Sequence, residues 1–372
     1  MKKLTGLVCL LLAGCVTPDA ATPPVSSLST ASPSAISMKQ KIDAAMPGWL
    51  EDYNVPAAAV AYIENNKVAW TASYGEQAPG VPANDETLFN IASMAKPIAA
   101  ETVLRLAAQG EVDLDEPMSA YWIDPDIKDD ARHALLTPRL ALAHRTGFPN
   151  WRYQTDDVLT FQFEPGAKTS YSGEGYNYVG RFLEKKFQTP FEDLVEANVY
   201  APNAMTQTSF TKRDWFEGRL TRPHNKDGED RDPTVRDNWN AADDVYTTPR
   251  DYADFMASVM RNEGVNGDIA AIRHRAVENQ FADGCRFPPA ICPVSIGYGL
   301  GWAEFEYENE TVVLQGGADW GERTTGFFVP ERGIGVIVFT NSANGSKVIR
   351  DTAQILYPDN PAFIGFLNLQ AQ

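Results

Sequence analysis

The chain has 372 residues, of which 44% are hydrophobic and 11% aromatic, so it carries a large folded core and is not a disordered polymer. Its 32 basic and 49 acidic residues give a formal charge of −17. That balance disfavours nucleic acid and anionic membrane surfaces as partners, because both would repel it.

The first element in the chain is an address. Lys2 and Lys3 precede an apolar run from Leu4 to Ala13, too short to span a bilayer, which closes on Leu12-Ala13-Gly14-Cys15. The ending resembles a bacterial lipobox, with residues 1–14 as signal peptide and Cys15 lipidated as the mature N-terminus. An ordinary secretory signal cut nearby is the alternative. Either one exports the protein, and a lipid on Cys15 tethers it to a membrane without threading it through. The expected location is the periplasm of a Gram-negative bacterium. Val16 stands where an aspartate would favour the inner membrane, which points to the outer one.

Residues 15–36, rich in Ser, Thr, Pro and Ala, read as a flexible linker. The folded domain is expected over 37–360, opening with an amphipathic helix at Ser37. Two short apolar runs around Glu64-Asn65-Asn66-Lys67 predict a β-hairpin. A helix over 93–110, ended by Gly110, begins a region of helices and loops, with helical spacing in "RLALAHRTGFP" and "GYNYVGRFLEKKFQTPFEDLVEANVY". A further helix is expected over 249–262, opened by Pro249.

Cys285 and Cys292 bracket a proline-rich loop. In an oxidising compartment that close pair predicts a disulfide, a metal site being the weaker alternative for want of further ligands at suitable spacing. Beyond it the texture turns to β, with turns at Glu308-Asn309 and Glu331-Arg332-Gly333, before a last helix in "VIRDTAQILYP". Strands at both ends around a helical middle predict an α+β fold. One antiparallel sheet flanked by helices is built from the two termini, with an all-α subdomain inserted over about 95–240 and the site in the crevice between.

The chemistry sits in "NIASMAKPIAAETVLRLAAQG". Ser93 and Lys96 are three residues apart, so a helix brings Oγ and Nζ to the same face. The helix start favours a developing alkoxide, and a desolvated lysine loses basicity until it can act as a general base. Ser-x-x-Lys is the first signature of penicillin-recognising serine enzymes.

Together with "LALAHRTGFPNW", "FEPGAKTSYSGEGYNYVGRFLEK" and "LQGGADWGERTTGFFVPERGIGVIVFTN", this segment resembles the β-lactamase-related serine hydrolases over about residues 42 to 345. The family includes class C β-lactamases, DD-peptidases, D-amino-acid peptidases and family VIII carboxylesterases. The resemblance implies an enzyme with an acyl-serine intermediate and a small-molecule ester, peptide or β-lactam as substrate. It implies Ser93 as nucleophile, Lys96 as its proton partner and Tyr171 as the group that relays a proton to the leaving group, with Tyr176 a rival. The backbone N–H groups of Ser93 and Ala318 would form the oxyanion hole. Gln315, Gly316 and Gly317 would contact substrate.

Two positions depart from the family pattern. Gly173 replaces the usual Asn two residues after the tyrosine, and Gln315 replaces a Lys or His that holds a substrate carboxylate. A neutral donor is roughly half as strong there as a charged one. Arg323 is a candidate to compensate, against its reading as an exposed loop arginine. These changes move weight from β-lactams toward esters, or peptides with other anchoring, with a class C-type β-lactamase or DD-carboxypeptidase as the alternative within the family. A non-catalytic binding protein is the alternative from another class. Trp151 and Trp320 are the aromatic candidates for the cleft, by their place beside the motifs. No G-x-S-x-G elbow occurs, and His133, His144, His224 and His274 form no metal pattern, so neither metal nor organic cofactor is expected.

Overall fold

Ser32 starts the fold earlier than the apolar spacing suggested: its Oγ accepts from the Ala35 N–H at 3.1 Å, and Pro33 follows as first helical residue. In the computed structural model, which describes residues 31–281 and 284–372, helix α1 therefore spans Pro33–Tyr53. Residues 33–36, expected in the linker, belong to this helix, while the export signal, Cys15 and the rest of the expected linker up to residue 30 lie outside the described residues.

Strands β1 (Ala57–Glu64) and β2 (Lys67–Ala78) form the expected hairpin. Asn65 and Asn66 both have positive φ, the backbone that a two-residue turn of matching twist requires. Short strands β3 (Val81–Pro82) and β4 (Phe89–Asn90) lead to α2 (Ala95–Ala108). Helices α3 (Pro138–Leu142), α4 (Gly173–Phe187) and α5 (Phe191–Val195) follow, then β5 (Tyr246–Thr247), α6 (Pro249–Met260) and α7 (Gly267–Arg273). Between α2 and β5 the described residues form helices, turns and loops without a strand. The helix expected through "RLALAHRTGFP" stops after five residues, because His144 takes φ +58° and turns the chain out of helical geometry.

The last third supplies β6 (Ser295–Tyr298), β7 (Ala303–Glu306), β8 (Thr311–Ala318), β9 (Arg323–Val329) and β10 (Ile334–Thr340), then α8 (Ser346–Leu356). Helix α9 (Pro361–Gln370) lies beyond the limit of 360 set from the sequence. Asn360 caps it, with Oδ1 accepting from the Phe363 N–H at 2.9 Å, and Phe363 and Leu367 are buried. Eight of these strands form one antiparallel sheet in the order β3-β2-β1-β10-β9-β8-β7-β6, so β1 from one end of the chain pairs with β10 from the other, while β4 and β5 pair as a separate two-stranded ribbon. A disulfide joins Cys285 and Cys292, whose Cα atoms are 6.2 Å apart.

Side chains alternate across this sheet. Ala57, Ala59, Ala61 and Ile63 of β1 face one core together with α2 and α6, while Ala58, Val60 and Tyr62 face a second core under α1, α8 and α9. Helix α2 is buried over nearly its whole length, which carries its N-terminus against the edge of β8 and β9. That junction is where the site lies.

Candidate active site

The chain enters α2 through a constrained turn. Ala92 has φ +46°, a costly conformation for a residue with a Cβ, and it is held by its neighbours. The Asn90 Oδ1 accepts from the Ala92 N–H at 2.9 Å, and Ile91 donates its N–H to the Val245 carbonyl at 2.9 Å. Thr324 of β9 donates its hydroxyl to the Ile91 carbonyl at 2.9 Å. Strand β8 can approach this turn only because residue 317 is glycine: a Cβ there would stand 2.2 Å from the Ile91 oxygen. The next residue after the strained alanine is Ser93, half-buried at the mouth of a cleft of about 510 Å³.

Lys96 lies one turn further on and is fully buried. Its Nζ donates to Ser93 Oγ at 3.0 Å and to the Ala242 carbonyl at 2.9 Å. It stands 4.7 Å from the ring centre of Tyr171 and 5.7 Å from that of Trp151. Burial brings the Lys96 pKa down to about 7, against the attraction of the Asp243 carboxylate. Near neutral pH a large fraction of this amine is therefore free to accept a proton.

Tyr171 immediately precedes the N-cap of α4. Ser172 Oγ accepts from the Gly175 N–H at 3.0 Å and donates to the Pro149 carbonyl at 2.8 Å, fixing the segment. His144 packs its ring 4.3 Å from that of Tyr171 and accepts the Ser172 N–H on Nδ1 at 3.1 Å. Burial, then the charge of Lys96, push the His144 pKa down to about 3, so the imidazole is neutral and adds no charge to the site. Burial raises the phenol of Tyr171 to about 12, while hydrogen bonds with Ser93 and Gln315 pull it back. It is a protonated donor at neutral pH. Tyr176 has spent its hydroxyl on the Leu142 carbonyl at 3.0 Å and does not line the cleft.

Several sequence expectations change here. Gln315, expected to contact substrate, is 5% exposed and lies behind the phenol. Its Nε2 donates to Tyr171 Oη at 3.3 Å and to the Gly316 carbonyl at 2.8 Å. Alternation puts 315 on the same face as 317, the one turned to the α2 turn, and there the Gln315 side chain is covered by the phenol it bonds. Gly316, Gly317 and Ala318 line the cleft, as does Trp151. Trp320 does not: it lines an adjoining cavity with Lys226 and Asn344, and the Arg231 guanidinium lies 4.3 Å from its ring centre. Arg323 is not a free loop arginine. It borders the cleft with Nη1 donated to the carbonyls of Asp319 at 2.6 Å and Glu322 at 2.7 Å.

The missing Asn at 173 has a local cause. A Cβ on Gly173 would stand 2.7 Å from two ring carbons of Trp151, so the indole occupies the space of that side chain. Gly173→Ala is accordingly expected to destabilise the protein by about 1–3 kcal/mol through overpacking. In a Trp151→Ala background the same change should cost little. Denaturant midpoints of the four proteins check this, and equal costs in both backgrounds would show that the indole is not the obstacle.

Asp243 gave no signal in the sequence. It lines the cleft, and its carboxylate, with those of Asp244 and Asp319, brings oxygens within 4.8 Å of one another. Asp244 holds φ +61° while buried, paired to Arg236 and accepting from Asn90 Nδ2 at 3.3 Å. Burial and the Asp244 charge raise the Asp243 pKa, against the attraction of Lys96.

An α+β scaffold carrying serine, buried amine and phenol in one cleft defines the active-site-serine class. A sequence model of the Beta-lactamase family matches residues 38–357, and the chain belongs to that family. Among solved structures it is similar to a D-alanine carboxypeptidase AmpC of Burkholderia cenocepacia, with TM-score 0.71 and 18% identity over 87% of this chain and 99% of that one. A class C β-lactamase mutant gives 0.70 and 16% over 87% and 97%. The octameric penicillin-binding protein homologue of Pyrococcus abyssi gives 0.70 and 18% over 87% and 78%. Among curated proteins, Esterase EstB of Burkholderia gladioli is 25% identical over 55% of this chain and 58% of its own length. Protein flp of Staphylococcus aureus is 23% identical over 48% and 39%. The chain thus spans about half the length of these curated relatives or less.

Proposed function

We propose that the protein is a serine hydrolase that cleaves an ester, or an amide with a D-peptide-like carbonyl, through an acyl group on Ser93. The observation that carries this is the fully buried Lys96 amine 3.0 Å from Ser93 Oγ. In this reading neutral Lys96 takes the Ser93 proton as Oγ attacks the carbonyl carbon. The oxyanion gathers against the N–H groups of Ser93 and Ala318. Tyr171, protonated at neutral pH, gives its proton to the departing oxygen or nitrogen and is reprotonated from Lys96. Water then attacks the acyl-serine, and the proton transfers run in reverse to free Ser93.

Esters are the leading substrate class because Gln315 is neutral and turned to the phenol, and residue 173 has no side-chain amide. An ester needs neither a charged carboxylate anchor nor an amide clamp. The similarity to Esterase EstB supports the same choice. Arg323 at the cleft favours a second reading, a β-lactamase or DD-carboxypeptidase whose substrate carboxylate meets the guanidinium. We also propose that the protein is exported and held at the outer membrane by lipid on Cys15, a setting with which the Cys285–Cys292 disulfide agrees.

Labelling with a fluorophosphonate and a fluorescent penicillin, followed by peptide mass spectrometry, tests the proposal. An adduct on Ser93 is expected; its absence with both probes leaves a binding protein as the better account. Turnover of short p-nitrophenyl esters, nitrocefin and D-Ala-D-Ala peptides in parallel separates the two enzymatic readings.

A further inference from the structure

The catalytic cleft does not end at the strand that carries Ala318. It continues past Arg323 to Ser346 and Ile349 of α8 and to Leu367 and Gln370 of α9. Ile91 and Met94, beside the nucleophile, belong to the core on one face of the sheet, whereas Ile349 and Leu367 belong to the core on the other. The cleft therefore passes around the end of β8 and β9, where Ala318 pairs with Arg323.

We propose that α9 is the specificity wall of this cleft. Leu367 and Gln370 set the length of the apolar substituent that a substrate carries away from its scissile bond. The inference rests on the serine hydrolase reading and adds the substrate class: esters or amides with an alkyl or aryl arm.

The chemistry of the lining divides the cleft. Around Ser93 it carries the polar and titratable groups Asn150, Tyr171, Asp243 and Thr324 beside the Trp151 ring. The two branched aliphatic side chains of the lining, Ile349 and Leu367, both come from the α8–α9 end. Neither can pair with a charge, and both are packed into the core behind them, at 5% and 2% exposure, so they close that end of the cleft with an apolar surface. Gln370 is exposed and borders both this cleft and the adjoining cavity of Trp320, so it stands at the opening between them.

The wall is also rigid enough to select. Helix α9 is clamped by the Asn360 cap, by Phe363 against Phe327 at 4.9 Å between ring centres, and by Phe366 against Phe305 at 4.7 Å. A close-packed wall of this kind resists a longer arm instead of yielding to it.

The test compares wild type, Leu367→Ala and Gln370→Trp on two series: p-nitrophenyl esters of acids from acetate to laurate, and acetate esters of alcohols of the same lengths. The ratio of kcat/KM for long over short arms is expected to rise roughly 10-fold in Leu367→Ala and to fall roughly 10-fold in Gln370→Trp, in one of the two series. The series that responds identifies the side of the scissile bond that reaches α9. Ratios parallel to wild type in both series overturn the proposal. Gln370 is exposed, so its variant decides the matter even if Leu367→Ala loosens the helix.

A second arm needs no turnover. In the Ser93→Ala protein, binding of C2 to C8 carboxylates and alcohols, read by calorimetry, should tighten with length, and Gln370→Trp should abolish the trend. A trend unchanged by that substitution also overturns the wall. Failure of wild type to hydrolyse any ester overturns the hydrolase reading instead, and the binding arm still decides whether α9 limits the cleft.

Discussion

Lys96→Met is expected to lower kcat/KM for a short ester by ~10⁴-fold, the upper range for loss of a positioned general base. Methionine matches the length and burial of lysine but offers no lone pair to take the Ser93 proton. The same substitution should make the protein more stable. Because burial lowers the folded-state pKa from 10.5 to about 7, the unfolded chain holds an extra proton between those values. Wild-type stability therefore climbs with pH across that window, and the gain from methionine is greatest below it and fades as pH rises through it. Denaturant unfolding at several pH values checks the sign. A variant that is both inactive and less stable at pH 7 would assign Lys96 a structural role.

The activity profile should carry the same signature. With Lys96 as base, kcat/KM rises with pH along an acid limb near 7. Asp243 attracts the ammonium and holds that limb up, so Asp243→Asn should move it to lower pH. A limb that stays in place or moves up would remove Lys96 from the role of base.

Tyr171→Phe is the second large effect, expected at ~10³-fold in kcat/KM. The phenol sits between Ser93 and Gln315 with its pKa raised to about 12, so its part is to deliver a proton and recover it from Lys96. Loss of the hydroxyl should therefore harm poor leaving groups most. The deficit is expected to be larger for an alkyl ester than for a p-nitrophenyl ester, whose leaving group departs as the anion. Burst kinetics give the check. Equal deficits for both leaving groups would mean that Tyr171 only shapes the cleft. Gln315, whose amide donates to the same oxygen, is a positioning residue in this scheme.

Much of this was legible in the sequence for local reasons. The approach of Ser93 and Lys96 was legible from their three-residue spacing at a helix start, and the Asn65-Asn66 hairpin from its turn chemistry. The β texture after Cys292 announced strands because a half-buried strand shows its alternation in the residues themselves. The places of Gln315, Trp320, Asp243 and α9 were not legible in this way. Strand register turned Gln315 from the substrate to the phenol, and Arg231 stacked on Trp320 outside the cleft. Asp243 acquires meaning only from the fold that sets it near Lys96.

The sequence by itself determined the elements and the serine–lysine pair, because periodicity, caps and turns act within a few residues of one another. Only the tertiary structure decided what surrounds that pair: a neutral histidine, an indole in place of an amide, and a wall from the last helix. Those groups lie far apart in the chain. Their contacts, burial and pKa values are properties of packing between elements, which no local pattern encodes.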